Sequence, residues 1–164
     1  MKKDNWILLF FAFIIGFIVF AEKKYQISST LFNLAKKTTY DELFKKYASR
    51  YGLDWKMLKA IALNESSLGL NKGLEPKGGT VGLMQIKLST ARDYFKHLTD
   101  VDMYKDEIQV MSASAFLADL KKQFNGDLKK TVMSYNQGAG ATRLGRSYAL
   151  PYWEKFQKHL QAIG

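Results

Sequence analysis

The chain has 164 residues, a formal net charge of +10, 14% aromatic residues, two prolines and no cysteine. That length holds one compact domain with a core, the aromatic content argues against disorder, and the lack of cysteine excludes disulfides, thiolate nucleophiles and cysteine-bound zinc. The positive balance favours an anionic partner such as anionic lipid or an acidic wall polymer, but the lysines are spread along the chain with no helix-turn-helix or zinc-finger spacing, so no nucleic-acid partner is expected.

The N-terminus reads as an address. Lys2 and Lys3 precede an uncharged run from Trp6 to Ala21, and Glu22, Lys23 and Lys24 stop it. A basic start followed by an apolar run is a membrane-targeting pattern. The run has 16 residues, so as a helix it reaches roughly 24 Å, short of the roughly 30 Å hydrocarbon core unless Trp6 and the flanking lysines extend it. Residues 1–24 are expected to be an uncleaved anchor or a signal peptide cleaved after Ala21. The absence of a helix breaker near the end of the run favours the anchor. In both cases the domain crosses the membrane and faces the periplasm or cell wall. Residues 25–38 read as a linker with some helix, and 39–164 as the folded domain.

Thr39-Tyr40-Asp41-Glu42 has the form of a capping box, with Leu43, Phe44, Tyr47 and Tyr51 at helical spacing behind it and Gly52 as a stop. Asp54 caps the next helix, in which Leu58, Ile61 and Ala62 lie at i, i+3 and i+4. Glu65 is the next position in that series, so the spacing puts a carboxylate on the apolar face of its own helix, which ends by Gly69. Residues 71–80 form a loop, and Gly82 to Ile86 is an apolar piece too short to classify. Ser89 caps a helix to about Leu98, and Thr99 to Met103 is a connector. Ile108, Met111, Ala115, Leu120 and Phe124 mark a longer helix. Asn125-Gly126-Asp127 is a turn whose Asp127 caps a helix with Leu128, Val132, Met133 and Tyr135, ended by Gly138-Ala139-Gly140. Pro151 opens the last helix, whose apolar face is Trp153, Phe156 and Leu160. No period-two run of strand length is present, so the domain is mainly α.

A carboxyl group on an apolar face loses hydration, and its pKa rises because the charged form is disfavoured. A glycosidase acid needs that property, since it must hold a proton near neutral pH and give it to a leaving oxygen. A helix-end glutamate turned to solvent is the plain competing account of Glu65. Gly82-Leu83-Met84-Gln85 offers a backbone open to ligand approach at glycine, an apolar wall and an amide, and Tyr135-Asn136 offers a ring and an amide. Each alone is ordinary packing.

Together and in this order, Glu65-Ser66, Gly82-Leu83-Met84-Gln85 and Tyr135-Asn136 with its Gly-Ala-Gly turn resemble the soluble-type lytic transglycosylase domain, over roughly Thr39 to Leu160. The resemblance implies a lysozyme-like helical fold, also used by virion-associated and secretion-system peptidoglycan enzymes. It implies Glu65 as catalytic acid then base, with Ser66 steadying the site by hydrogen bonding. Met84 and Gln85 then line the glycan groove beside Gly82, and Tyr135 and Asn136 shape the pocket. A tyrosine of the last helix faces the acid; Tyr152 matches best and Tyr148 is its rival. Two departures stand out: Ser134 replaces the usual Ala, and the loop reads Glu75-Pro76-Lys77-Gly78-Gly79.

The implied reaction cleaves the bond between N-acetylmuramic acid and N-acetylglucosamine and leaves a 1,6-anhydro end. No metal or cofactor is expected, since His97 and His159 have no ligand spacing. A hydrolase on the same scaffold is the first alternative and wants a second carboxylate to place water. Glu75, Asp93, Asp100 and Asp102 are candidates without a motif. A peptidoglycan-binding module without turnover is the second. Expected partners are glycan strands, the membrane, and secretion, conjugation or virion machinery.

Overall fold

The structure, a computed structural model, describes the backbone of residues 3–73 and 80–164, and side chains for 15, 17–28, 40–73 and 80–164. Within these residues the chain forms α1 Lys3–Tyr51, α2 Trp55–Ser66, α3 Leu88–Tyr94, a 3₁₀ turn Val101–Tyr104, α4 Asp106–Gln123, α5 Leu128–Gln137, α6 Ala139–Arg143 and α7 Leu150–Ile163. No strand occurs among the described residues, so the mainly helical architecture is as the sequence implies.

The chain divides into two compact units, Met1–Thr39 and Tyr40–Gly164. In the first, the described side chains Ile15, Phe17, Ile18, Val19 and Phe20 are exposed. Most of the apolar run from Trp6 to Ala21 has side chains outside the described residues, and among the described residues no helix is long and apolar enough to cross a membrane. Residues 25–38, expected as a linker, are helical.

The capping-box expectation at Thr39 is corrected. Thr39 lies inside α1, where following N–H groups already have intrahelical acceptors and leave nothing to cap. Glu42 instead pairs forward with Lys45 at 2.8 Å. The apolar spacing behind it does hold: Phe44 and Tyr47 are buried in the core. Asp41 of the same turn pairs with the buried Lys59 of α2 at 2.5 Å. Gly52 stops α1 with φ +64°, a left-handed geometry that glycine adopts without steric cost.

Asp54 caps α2 by accepting the N–H of Lys56 at 2.8 Å. Met57, Leu58, Ala60, Ile61 and Ala62 are buried, and this helix packs against α7, where Phe156 is buried and stacks on Trp153. The third helix starts after Lys87 and ends at Tyr94, so Ser89 is inside it and not its cap. In α4 the stripe read from sequence is only part of the buried surface: Leu120 and Ala115 are buried, but Val110, Ala113 and Leu117 are too. The helix meets α3, the 3₁₀ turn and α5, so it is covered on several sides and a single amphipathic face underdescribes it. Small residues Ser112, Ala113, Ser114 and Ala115 let the neighbours approach. Asp127 caps α5 by accepting the N–H of Lys130 at 3.0 Å.

Candidate active site

Glu65 sits in the last turn of α2. Ser67 then turns left-handed at φ 51°, and the N–H groups of Ser67 and Leu68 return to the carbonyls of Leu63 and Ala62. Leu68 follows at φ 57°. Two successive non-glycine residues in this region cost about 1–2 kcal/mol each, a strain concentrated where the chain leaves the acid.

The carboxyl group opens into a cleft of about 420 Å³ lined by Glu65, Thr80, Gln85, Lys87, Thr90, Phe116, Tyr135, Asn136 and Gln137. Tyr152, on the first turn of α7, donates its hydroxyl to Glu65 Oε1 at 2.6 Å. Burial raises the pKa of Glu65 above the ordinary carboxylate value, and the Tyr152 hydrogen bond and the charge of Lys155 pull it partly back. Its place at a helix C-terminus, where the backbone presents negative charge, acts with burial. Burial and the adjacent Glu65 charge push the Tyr152 phenol well above its usual range, so it remains a donor. Tyr148, the rival tyrosine, is exposed.

The other residues singled out from sequence fall into two layers. Gln85, Tyr135 and Asn136 reach the cleft. Ser66 and Met84 do not: both side chains are buried. Ser66 Oγ donates to the carbonyl of Leu83 at 2.7 Å and accepts the N–H of Gly69 at 2.8 Å, so it pins the Gly82–Gln85 segment to the end of α2. The expected groove-lining role of Met84 is corrected for its side chain; its backbone carbonyl accepts the Tyr135 hydroxyl at 2.7 Å. Gly82 is corrected likewise. It has φ +84°, and a Cβ there would lie 2.6 Å from Cδ of Gln109, so its bareness admits a buried protein amide and not a ligand. The amide of Gln85 is also committed within the protein. Its Nε2 donates to the carbonyls of Gly82 at 2.8 Å and Lys72 at 3.1 Å, and its Oε1 accepts from Thr80 at 2.9 Å.

Four residues of the site carry no sequence signal strong enough to single them out. Gln109 is fully buried, receives the N–H of Met84 at 3.2 Å and donates to the carbonyl of Met103 at 2.8 Å. Asn64 donates to the carbonyl of Tyr152 at 2.9 Å, tying α2 to α7. Gln137 donates to Thr142 at 3.0 Å and to the carbonyl of Arg146 at 2.9 Å, and accepts the N–H of Ala149 at 2.7 Å, which fixes the approach to α7. Lys155 lies three residues after Tyr152, one turn along the helix, and that spacing is the signal available in its case.

The site is thus a buried acid held by a phenol, over a cleft that Gln85, Tyr135 and Asn136 of the motif segments line. The family model described as "Transglycosylase SLT domain" matches residues 42–158. The chain belongs to this family. Among curated proteins, the SLT domain is 34% identical over 122 residues to the peptidoglycan transglycosylase gp16 of Escherichia phage T7, covering 73% of this chain and 9% of that one. It is 30% identical over 107 residues to the membrane-bound lytic murein transglycosylase F of Desulfosudis oleivorans, covering 62% and 22%. The chain thus spans less than a quarter of the curated relatives it matches. Among solved structures, the 70 kDa soluble lytic transglycosylase of Escherichia coli matches with TM-score 0.58 and 26% identity, covering 74% of this chain and 21% of that one. An inactive variant of the lytic transglycosylase Slt from Pseudomonas aeruginosa gives TM-score 0.55 at 23% identity over 73% and 21%, a likeness of fold.

Proposed function

We propose that the SLT domain is a peptidoglycan lytic transglycosylase with Glu65 as its single acid/base. The observation that carries this is the Tyr152–Glu65 hydrogen bond of 2.6 Å at the base of the cleft, with the acid's pKa raised by burial. Protonated Glu65 gives its proton to the oxygen bridging N-acetylmuramic acid and N-acetylglucosamine as positive charge develops at the anomeric carbon. The substrate's acetamido group stabilises that charge. Ionised Glu65, now favoured by Tyr152 and Lys155, takes the proton of the muramic C6 hydroxyl, which closes the 1,6-anhydro ring. Among the described residues lining the cleft, Glu65 is the only carboxylate; Glu75, a hydrolase candidate, lies outside the described residues. Asp102, one of the hydrolase candidates, is spent on Thr99 and Lys105. Asn136, which lines the cleft, is the wall residue assigned to contact sugar.

Purified peptidoglycan digested with the protein tests the reading by mass spectrometry of the fragments. Anhydro ends are expected; reducing ends would assign a hydrolase, and intact strands a binding module.

The site of action follows from the N-terminus. We propose that Lys2, Lys3 and the run from Trp6 to Ala21 direct the chain to a membrane, with the domain facing the wall. Association with a virion or a secretion or conjugation machine suits a small wall-opening enzyme, and the T7 relative is a phage protein. Membrane fractionation of the full chain, compared with a chain carrying Phe17→Asp and Phe20→Asp, tests the targeting.

A further inference from the structure

Among the described residues of the cleft, one cation has no assigned task. Lys87 lines the cleft, at the position that leads into α3. Its backbone is fixed, since Ile86 before it is buried and its own carbonyl accepts the N–H of Ala91 at 2.9 Å. Its side chain is exposed and makes no hydrogen bond or ion pair among the described residues. Six lysines elsewhere in the domain, Lys45, Lys46, Lys59, Lys72, Lys105 and Lys130, each pair with a carboxylate; Lys87 differs from the unpaired surface lysines in lining the cleft. Nor is Lys87 the counter-charge of the acid. The cation that acts on Glu65 is Lys155.

An amine on a fixed stem at a cleft wall gains an anionic partner without breaking an existing pair. The backbone sugars of peptidoglycan are neutral. Their anionic groups hang on the muramyl lactyl ether, as a free carboxylate or as the carboxylates of an attached peptide. Resting on the glycan-cleaving activity proposed above, we propose that Lys87 binds a carboxylate borne by the muramyl substituent, and so makes the cleft selective for muramyl-containing strands.

The test compares wild type with Lys87→Ala and Lys87→Glu on strands bearing peptides and on strands stripped by an amidase, at low ionic strength. Lys122→Glu, an exposed residue at the end of α4, carries the same charge change away from the cleft. For a solvent-accessible ion pair, KM is expected to rise about threefold for Lys87→Ala and about tenfold for Lys87→Glu, with kcat little changed. The effect shrinks in high salt, and Lys122→Glu behaves as wild type. An effect confined to peptide-bearing strands assigns the peptide carboxylates, and one confined to stripped strands assigns the lactyl carboxylate. In parallel, binding is measured in the Glu65→Gln background with and without Lys87→Glu, to the same strands and to a chitooligosaccharide that has no carboxylate. Only muramyl strands are expected to lose affinity. Unchanged KM and binding, or an equal loss on chitooligosaccharide, overturns the proposal. If wild type cleaves nothing, the parent reading fails, and the binding arm decides Lys87 alone.

Discussion

Replacing Tyr152 by Phe removes a single oxygen and keeps the ring in the core. That oxygen donates at 2.6 Å to Glu65 Oε1. A hydrogen bond to an ionised carboxylate contributes about 1.5–3 kcal/mol, and one to its neutral form roughly half as much. The loss therefore falls mainly on the ionised state, in which Glu65 acts as base. The bond to the protonated ground state is lost too, so kcat falls by the difference, about 0.8–1.5 kcal/mol or roughly 4- to 13-fold, where the ionised state is reached at the rate-limiting step. The pH profile moves as well. The Tyr152 bond lowers the Glu65 pKa against the upward effect of burial, so its removal raises that pKa further. The acid then keeps its proton to higher pH, and the alkaline limb of the rate profile shifts upward. The assay is the release of anhydro-ended fragments from purified peptidoglycan across the pH range, with the fold checked by circular dichroism. A variant with kcat within about twofold of wild type, or with an alkaline limb unmoved or moved downward, would refute the acid-and-phenol account.

Other outcomes follow from the same geometry. Glu65→Gln abolishes cleavage and also changes the pH dependence of stability: a carboxyl whose folded pKa is raised stabilises the fold below its unfolded value and loses that contribution as pH rises through the folded value. Denaturant melts at acidic and neutral pH should show this decline in wild type and lack it in the variant. Ser66→Ala leaves the buried Leu83 carbonyl and Gly69 N–H without their partner, a loss of about 2–4 kcal/mol, read as a fall of roughly 10 °C in thermal midpoint. Gly82→Ala meets both a left-handed backbone and Gln109 Cδ at 2.6 Å, with the Gln109 amide held at both ends, and should cost about 3 kcal/mol. Gly52→Ala shares the positive φ but has nothing within 4 Å, so equilibrium unfolding should show only about 1 kcal/mol.

The sequence by itself carried the helices and the acid. Periodicity put Leu58, Ile61, Ala62 and Glu65 on one face, because helical spacing is local and needs no partner to be read. Asp54 and Asp127 marked helix starts for the same reason: a cap is a contact between residues two or three apart. The Thr39 pattern failed because a cap works only where the helix begins, and α1 has already begun there. What surrounds Glu65 depended on contacts between residues distant in sequence. The motif segments were legible, but the division of labour within them was not. Gly82 and Met84 look like ligand-facing positions in a string of letters, and tertiary packing turns them inward, against Gln109 and Tyr135. Asn64 and Gln137 are polar residues on helices, unremarked until Tyr152 and Ala149 arrive beside them. Sequence could also offer two tyrosines for the last helix. Only the packing of α7 on α2 decided between them, because it carries the Tyr152 hydroxyl to the carboxyl of Glu65 and leaves Tyr148 in solvent.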